Sequence, residues 1–364
     1  MSNFDLVLKL FLQLTVILAV CRAVGWLGRF AGQTQVVSEM IAGVLLGPSL
    51  LGALAPGVQT WLFPKASMPL LYAISQLGLV LYMFLVGLEF DTAVIRGRLR
   101  SAGLISASGI IVPFILGAAL AWNLGNDGRF FTAQTSLPLA AMYMGAAMSI
   151  TAFPVLARIL QERGILKTRI GTVTLAAGSL DDAMAWCLLA FILAAMKADT
   201  SIGVYAVLGA FVCGACMPRR RFAAAVQKRL GPVTQSLLVP IYFVYSGLNT
   251  RIGLLGSSRL WMLTAVVIGV AIIGKGLACA LAARASGEPW RESWTIGALM
   301  NTRGLMELII LNIGLERGLI TPTLFTIMVL MAIVTTVMAS PLFDWIYGRS
   351  TSSLRGVESA LPRT

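Results

Sequence analysis

Apolar residues run nearly unbroken along most of the chain, in stretches of about 20, and polar residues gather in short clusters between them. Breaks at charge and Pro/Gly clusters leave eleven apolar spans, near residues 5–27, 36–54, 69–88, 103–123, 137–157, 170–196, 203–217, 234–248, 260–282, 294–315 and 321–345. A helix of that length crosses a hydrocarbon core about 30 Å thick. The spans lack the period-2 alternation of barrel strands. The seventh and eighth are short. The first run is long enough to stay as a span, and no small-residue cleavage site follows it. The pattern predicts an all-α polytopic membrane protein.

Composition agrees. The 364 residues are 58% hydrophobic and 12% charged, with a mean hydropathy of +0.85, whereas soluble chains carry about a quarter charged residues. The net charge of +13 resolves into topology. One set of loops carries Arg29; Arg96, Arg98, Arg100; Arg158, Arg163, Lys167, Arg169; Arg219, Arg220, Arg221, Lys228, Arg229; Arg284, Arg291; and Arg349, Arg355, Arg363. The alternate set carries only Lys65, Arg129, Lys197, Arg251, Arg259 and Arg317. The positive-inside rule puts the richer set in the cytoplasm, with the N-terminus outside, the C-terminus inside and an odd number of spans. Basic residues scattered over loops do not make a nucleic-acid surface, so no nucleic-acid partner is expected.

All five cysteines fall in or at the ends of spans, and Cys213 and Cys216 form a lone CxxC that reads as small hydrophobes in a helix. There is no histidine. Any proton handled near neutral pH therefore rides on a carboxylate or a lysine.

Charge inside the spans is rare and stands out. Asp181 and Asp182, in GSLDDAMAWC, are the only charged residues between Arg169 and Lys197. An ionised Asp at mid-bilayer costs roughly 2.5–3.5 kcal/mol on insertion scales, and two neighbours repel. Successive helical residues point about 100° apart, so the two acids face different partners. Lys275, in IIGKG, is the only charge between Arg259 and Arg284. The plainer reading is a fixed ion pair between one acid and Lys275, which leaves the second acid unexplained. Arg303 and Glu307 stand four apart and can pair along one helix face. That pair reads as mostly structural, compensating helix dipoles.

Two short matches suggest an internal repeat. YMFLVGL at 82–88 aligns with YFVYSGL at 242–248, and GAAM at 145–148 aligns with GALM at 297–300. The partners lie an odd number of spans apart, so the copies cross in opposite directions. Inverted repeats are a mark of secondary transporters, with the site near the midplane between copies. Helices also look broken at matching places, SITAFP at 149–154 and MNTRG at 300–304. Pro154 alone would be an ordinary kink, but the recurring polar cluster favours a broken pair with exposed half-helix ends.

With these residues placed, the chain resembles the monovalent cation:proton antiporter superfamily, on the branch of bacterial sodium/proton exchangers, Kef-type systems and plant cation/proton exchangers. The resemblance rests on Glu39 to Gly52 (EMIAGVLLGPSLLG), Phe84 to Asp91 (FLVGLEFD), Ser149 to Arg158 (SITAFPVLAR), Asp181-Asp182, Lys275, and Asn301 to Gly314 (NTRGLMELIILNIG), and covers about residues 5–347. It implies an antiporter fold in which two broken helices cross. Core helices would be 103–196 and 260–345 and scaffold helices 5–88 and 203–248, all within a transmembrane domain 1–348 followed by a cytoplasmic tail 349–364. It implies Asp182 as the monovalent-cation and proton site and Asp181 as the partner of Lys275. Thr151 and Ser149 would be the broken-helix residues beside them. Two acids plus a lysine resembles the electrogenic exchangers. Such proteins usually carry two further helices where this chain has only Lys197 to Gly203, and Kef-type systems add a nucleotide-binding tail that is not seen after Tyr347.

The expected function is exchange of Na+ or K+ for protons by alternating access, in a bacterial-type inner membrane, with no cofactor. The scaffold leaves a homodimer open. A cation channel or transport-inactive homologue is the alternative, because of the missing helices. An intramembrane aspartyl protease fits poorly: its acids come from different helices, and no GxGD is present.

Overall fold

The structure is a computed structural model that describes residues 3–89, 99–125, 127–166, 168–195, 202–217 and 223–347. It is built of helices: α1 (Asn3–Phe30), α2 (Gln35–Leu46), α3 (Met68–Glu89), α4 (Leu99–Leu124), α5 (Leu137–Ser149), α6 (Phe153–Glu162) and α7 (Arg169–Ala195). Then come α8 (Ile202–Cys216), α9 (Ala224–Val233, continued through Thr234–Leu238 and Val239–Leu248), α10 (Ser258–Ala285), α11 (Trp290–Met300), α12 (Leu305–Glu316) and α13 (Pro322–Tyr347). Among the described residues, nine helical stretches are long and apolar enough to cross a membrane. The segments expected as the seventh and eighth spans are helical, as α8, only 15 residues long, and α9, but neither is among those nine. Several positions of the sequence reading lie outside the described residues, among them Arg96, Arg98, Lys197, the run Arg219 to Arg221 and the tail 349–364.

Tryptophan marks the membrane boundaries. Seven of the eight tryptophans are exposed and lie within a few residues of a helix end: Trp26, Trp61, Trp122, Trp261, Trp290, Trp294 and Trp345. Amphipathic indoles favour the bilayer interface. The eighth, Trp186, is buried.

Apart from the two broken spans described next, three spans depart from straight α-helices. The span expected at 36–54 stops at Leu46, because Gly47-Pro48 cannot continue it, and resumes in short helices Leu51–Leu54 and Pro56–Leu62. In α9 a π-helical stretch, Thr234–Leu238, lies between Pro232 and Pro240, each of which lacks the N–H of a regular ladder. In α10 the π-helical stretch Ile272–Leu277 holds Lys275 between two glycines.

Two spans are interrupted in the backbone at the expected places. Span 137–157 breaks into α5 and α6 around residues 150–152, and span 294–315 breaks into α11 and α12 around 301–304. At one face of the protein the loop entering α5 meets the loop leaving α12 in a bridge between Phe131 and Ile320. At the other face Arg169, at the start of α7, pairs with Glu288, just before α11, at 3.0 Å. The two broken helices therefore run antiparallel.

Their outer ends share one device. Across the end of α6 the chain reads Glu162-Arg163-Gly164, and across the end of α12 it reads Glu316-Arg317-Gly318. Both glycines take positive φ, +69° and +64°. Ile165 N bonds Leu160 O and Gly164 N bonds Gln161 O; likewise Leu319 N bonds Gly314 O and Gly318 N bonds Leu315 O. This is a Schellman cap in duplicate, at a left-handed position that suits glycine.

Glycines also set how closely the copies pack. A Cβ on Gly43 of α2 would lie 2.6 Å from Phe243 O of α9, and one on Gly47 would lie 2.6 Å from Gly247 O. The repeat-related pair, α3 and α8, touches through Gly87 and Gly214. Gly247→Leu is expected to push α2 off α9 and to lower stability by at least the ~1–3 kcal/mol typical of overpacking. Thermal unfolding in detergent measures it, and an unchanged midpoint would mean that this close approach is not needed.

Candidate functional site

The breaks leave backbone groups without helical partners, and these groups meet. Ala152 N, beside the first break, donates to Thr302 O in the second at 3.0 Å. Gly304 lies against Val155 and Ala152, where a Cβ would come within 3.0 and 3.2 Å. The two breaks thus cross in direct contact, and both regions are buried.

Two cations close the C-terminal end of α5. Arg303, fully buried, donates from Nη1 to Ala147 O at 3.1 Å and from Nη2 to Met148 O at 2.7 Å. Lys275 Nζ donates to the carbonyl of Ser149 and to Gly109 O of α4, the latter at 2.9 Å. A helix C-terminus carries roughly half a negative charge, so cations there are stabilising. Arg303 is fixed from behind: its N–H donates to Thr336 Oγ1 of α13, whose hydroxyl lies 2.9 Å from Arg303 O. It also reaches Glu307 Oε2 at 3.4 Å.

Lys275 also pairs with Asp181 at 3.1 Å, with both side chains fully buried. Thr151 Oγ1 lies 2.6 Å from the same carboxylate oxygen and 3.1 Å from Met300 O. The backbone break at 150–152 places Thr151 there, because a continuous helix would engage its carbonyl and turn its side chain onto a helix face. The flanking glycines bring Lys275 in close: Gly274 faces Leu116 and Pro113 of α4, and Gly276 lies 3.7 Å from Gly297 O by its Cβ direction.

Asp182 is 1% exposed, and neither carboxylate oxygen has a hydrogen-bond partner in the protein. Burying an unpaired carboxylate is expensive. The side chain thus offers two free oxygens beside an acid already committed to Lys275. One turn further along α7, Trp186 stacks on Phe211 of α8, with centroids 5.6 Å apart. The same helix supplies Ala206 and Val207 to a cavity of about 670 Å³, whose polar lining is Tyr72, Gln76, Tyr242, Asn312, Glu316 and Arg317. Asn312 Nδ2 donates to Ser246 Oγ at 3.0 Å.

The structure brings Asp181, Lys275 and Thr151 together, with Asp182 next in sequence. Arg303 and Glu307 sit at the crossing, where the Arg303 guanidinium bonds Ala147 O, Met148 O and Glu307 and not the two acids. Ser149 enters by its carbonyl: its hydroxyl turns back to Gly145 O at 2.7 Å and Ile110 O at 3.0 Å. Sequence reasoning missed Thr336, which fixes Arg303, and Gly109, which reaches Lys275 through its carbonyl. A lone threonine in an apolar helix and a backbone oxygen carry no signal in residue type.

Comparison with known proteins follows the same lines. The family model for the transmembrane sodium/hydrogen exchanger matches residues 15–202 and 198–347. The Na(+)/H(+) antiporter NhaS4 of Synechocystis sp. is 37% identical, covering 93% of this chain and 97% of the relative. That alignment runs over 404 positions, more than the 364 residues of this chain, so it opens gaps here. The K(+)/H(+) antiporter 1 of Saccharomyces cerevisiae is 31% identical over 95% of this chain, which spans about half of it (47%). Among solved structures, the sodium proton antiporter MjNhaP1 from Methanocaldococcus jannaschii shares the fold, with a TM-score of 0.63 at 12% identity, covering 96% of this chain and 99% of that one.

Proposed function

The chain belongs to the sodium/hydrogen exchanger family, and from that premise we propose that it exchanges a monovalent cation, Na+ or K+, for protons by alternating access. The observation that carries the reading is Asp182: a buried carboxylate with both oxygens unpartnered, beside an Asp181 that is held by Lys275 and Thr151 at the crossing of two broken helices. A carboxylate can hold a proton or a hard cation, but not both at full strength. Competition for one acid couples the two fluxes. Oxygen donors suit an alkali cation, and its hydration shell would be replaced by Asp182 and by polar groups of the crossing such as Thr151.

α4–α7 and α10–α13 would move as a core against a scaffold of α1–α3, α8 and α9. The cavity between α3, α8, α9 and α12 would be one access route, opening on the face that bears few basic loops. That face would be external, with the C-terminus in the cytoplasm of a bacterial-type inner membrane. Asp181 and Lys275 support electrogenic exchange, because an extra buried charge can change partner during the cycle. A homodimer through the scaffold is part of the same reading. The family match meets itself at residues 198–202, where the connector between core and scaffold is shorter than expected. That keeps one rival in view, a channel or an inactive homologue. Proteoliposomes with a pH-sensitive dye, challenged with Na+, K+ and Li+ in turn, decide. Proton efflux on addition of one or more of these cations is expected. Cation flux without proton movement would mean a channel, and neither flux an inactive homologue.

A further inference from the structure

We propose that the groove between α10, α11 and α13 is a binding site for one anionic phospholipid, with an acyl chain in the groove and the phosphate at Arg284 and Arg291. The groove has a volume of about 730 Å³ and is lined by apolar side chains apart from Asn301 and the indole of Trp294 and Trp345. Its walls include Ile273, Leu277 and Trp345, exposed on the flanks of membrane-crossing helices, Trp345 at 82%. Within a bilayer that surface is in contact with acyl chains, so a deep apolar groove on it is filled by one.

The rim supplies the headgroup chemistry. Ile273, Leu277, Leu281 and Arg284 recur at helical spacing along one face of α10, and Arg291, Trp294 and Ala298 do so along α11. Leu281, Arg284, Arg291, Trp290 and Trp294 are all exposed. Seven residues of helix carry Arg284 about 10 Å beyond Leu277, the step from the hydrocarbon edge to the phosphates. Arg284 Nη1 bonds Glu288 O at 3.1 Å and its guanidinium lies over Trp290. Arg291 bonds Ile346 O at 3.0 Å and Tyr347 O at 2.6 Å. Both bond neutral carbonyls, so two positive charges face the interface beside two tryptophans, a setting that favours phosphate over a zwitterionic headgroup.

The inner end of the groove touches the transport machinery. Ile272, Ile273, Gly276 and Leu277 belong to the π-helical turn that holds Lys275, and Asn301, 2% exposed, is the first residue of the second break. A seated chain would press on both elements.

Native mass spectrometry of the intact chain with phosphatidylglycerol and with phosphatidylcholine, each titrated to saturation, tests this. Retention of one phosphatidylglycerol is expected, with at least tenfold weaker retention of phosphatidylcholine. Arg284→Gln with Arg291→Gln should abolish that preference. Leu342→Trp, which puts an indole into the groove and leaves both arginines in place, should displace the lipid by itself. Equal retention of the two lipids, or non-saturable binding that Leu342→Trp leaves unchanged, overturns the site. Should the arginine pair fail to fold, Leu342→Trp and the lipid comparison still decide.

Discussion

Asp182→Asn is expected to reduce cation–proton exchange to the level of protein-free liposomes while leaving a folded protein. The change removes the negative charge and the titratable proton together, and it keeps the shape. Neither carboxylate oxygen is bonded to the protein, so no structural contact is lost. A buried acid without a partner is destabilising, so the thermal midpoint should hold or rise. That combination, dead transport in an equally or more stable protein, separates a transport site from a structural acid, whose removal would lower the midpoint. Exchange at wild-type rates in D182N would remove the site from Asp182. Asp182→Glu, which keeps the charge on a longer arm, is expected to retain measurable exchange with a shifted cation preference.

Lys275→Gln is the second large effect, and it falls on stability first. Lys275 and Asp181 are a fully buried pair. Removing one member strands the other, a change that typically costs about 3–5 kcal/mol. It also strips one cation from the end of α5, and Ser149 O there and Gly109 O of α4 lose their ammonium donor. The double variant Asp181→Asn/Lys275→Gln buries no net charge and is expected to recover most of the lost midpoint, since neutral replacement of a buried pair is often tolerated. Transport should not recover in step. A charge that shifts in the membrane field couples to voltage at about 2.3 kcal/mol per elementary charge per 100 mV. Exchange measured at clamped potentials, normalised to folded protein, should lose its voltage dependence in both variants. A voltage response unchanged in K275Q would leave Lys275 as a structural tie and nothing more.

Much of this was legible because the membrane makes polarity conspicuous. Asp181, Asp182, Lys275 and Arg303 were found by standing alone in apolar runs, and each is buried in the structure. The breaks at 149–154 and 300–304 were legible because Pro154 and the Asn301-Thr302-Arg303-Gly304 cluster cannot sit comfortably in a lipid-facing helix. The repeat shows in the sequence as two faint matches, and a clearer third, Glu-Arg-Gly across the ends of α6 and α12, carries no apolar signal. It lies at loop edges, where charged residues are common and a helix cap does not stand out. What no spacing reveals is which way a side chain turns. Ser149 and Thr151 are both small hydroxyl residues at the break, but only Thr151 reaches an acid, because Ser149 still lies on the last helical turn and bonds back along it. The π-helical turn of α10 was equally hidden: Gly-Lys-Gly says that a backbone comes close, not that the ladder widens.

The pairing of Asp181 with Lys275 spans 94 residues, and its direction in the sequence has a consequence in time. A ribosome adding about 5–20 residues per second needs roughly 5–20 s to make that stretch. For all of it Asp181 is already made while its countercharge is not, and the carbonyls of Ala147 and Met148 wait longer still, 156 and 155 residues, for Arg303. The acid helix must therefore linger at the insertion machinery near water, or enter the bilayer carrying protons in place of cations. Truncations that end between α7 and α10 freeze the chain in that interval, with two acids in the membrane and no lysine to come. Such fragments are expected to be short-lived in cells, and pulse-chase of nested truncations should show a step to long-lived products once the chain extends past Lys275.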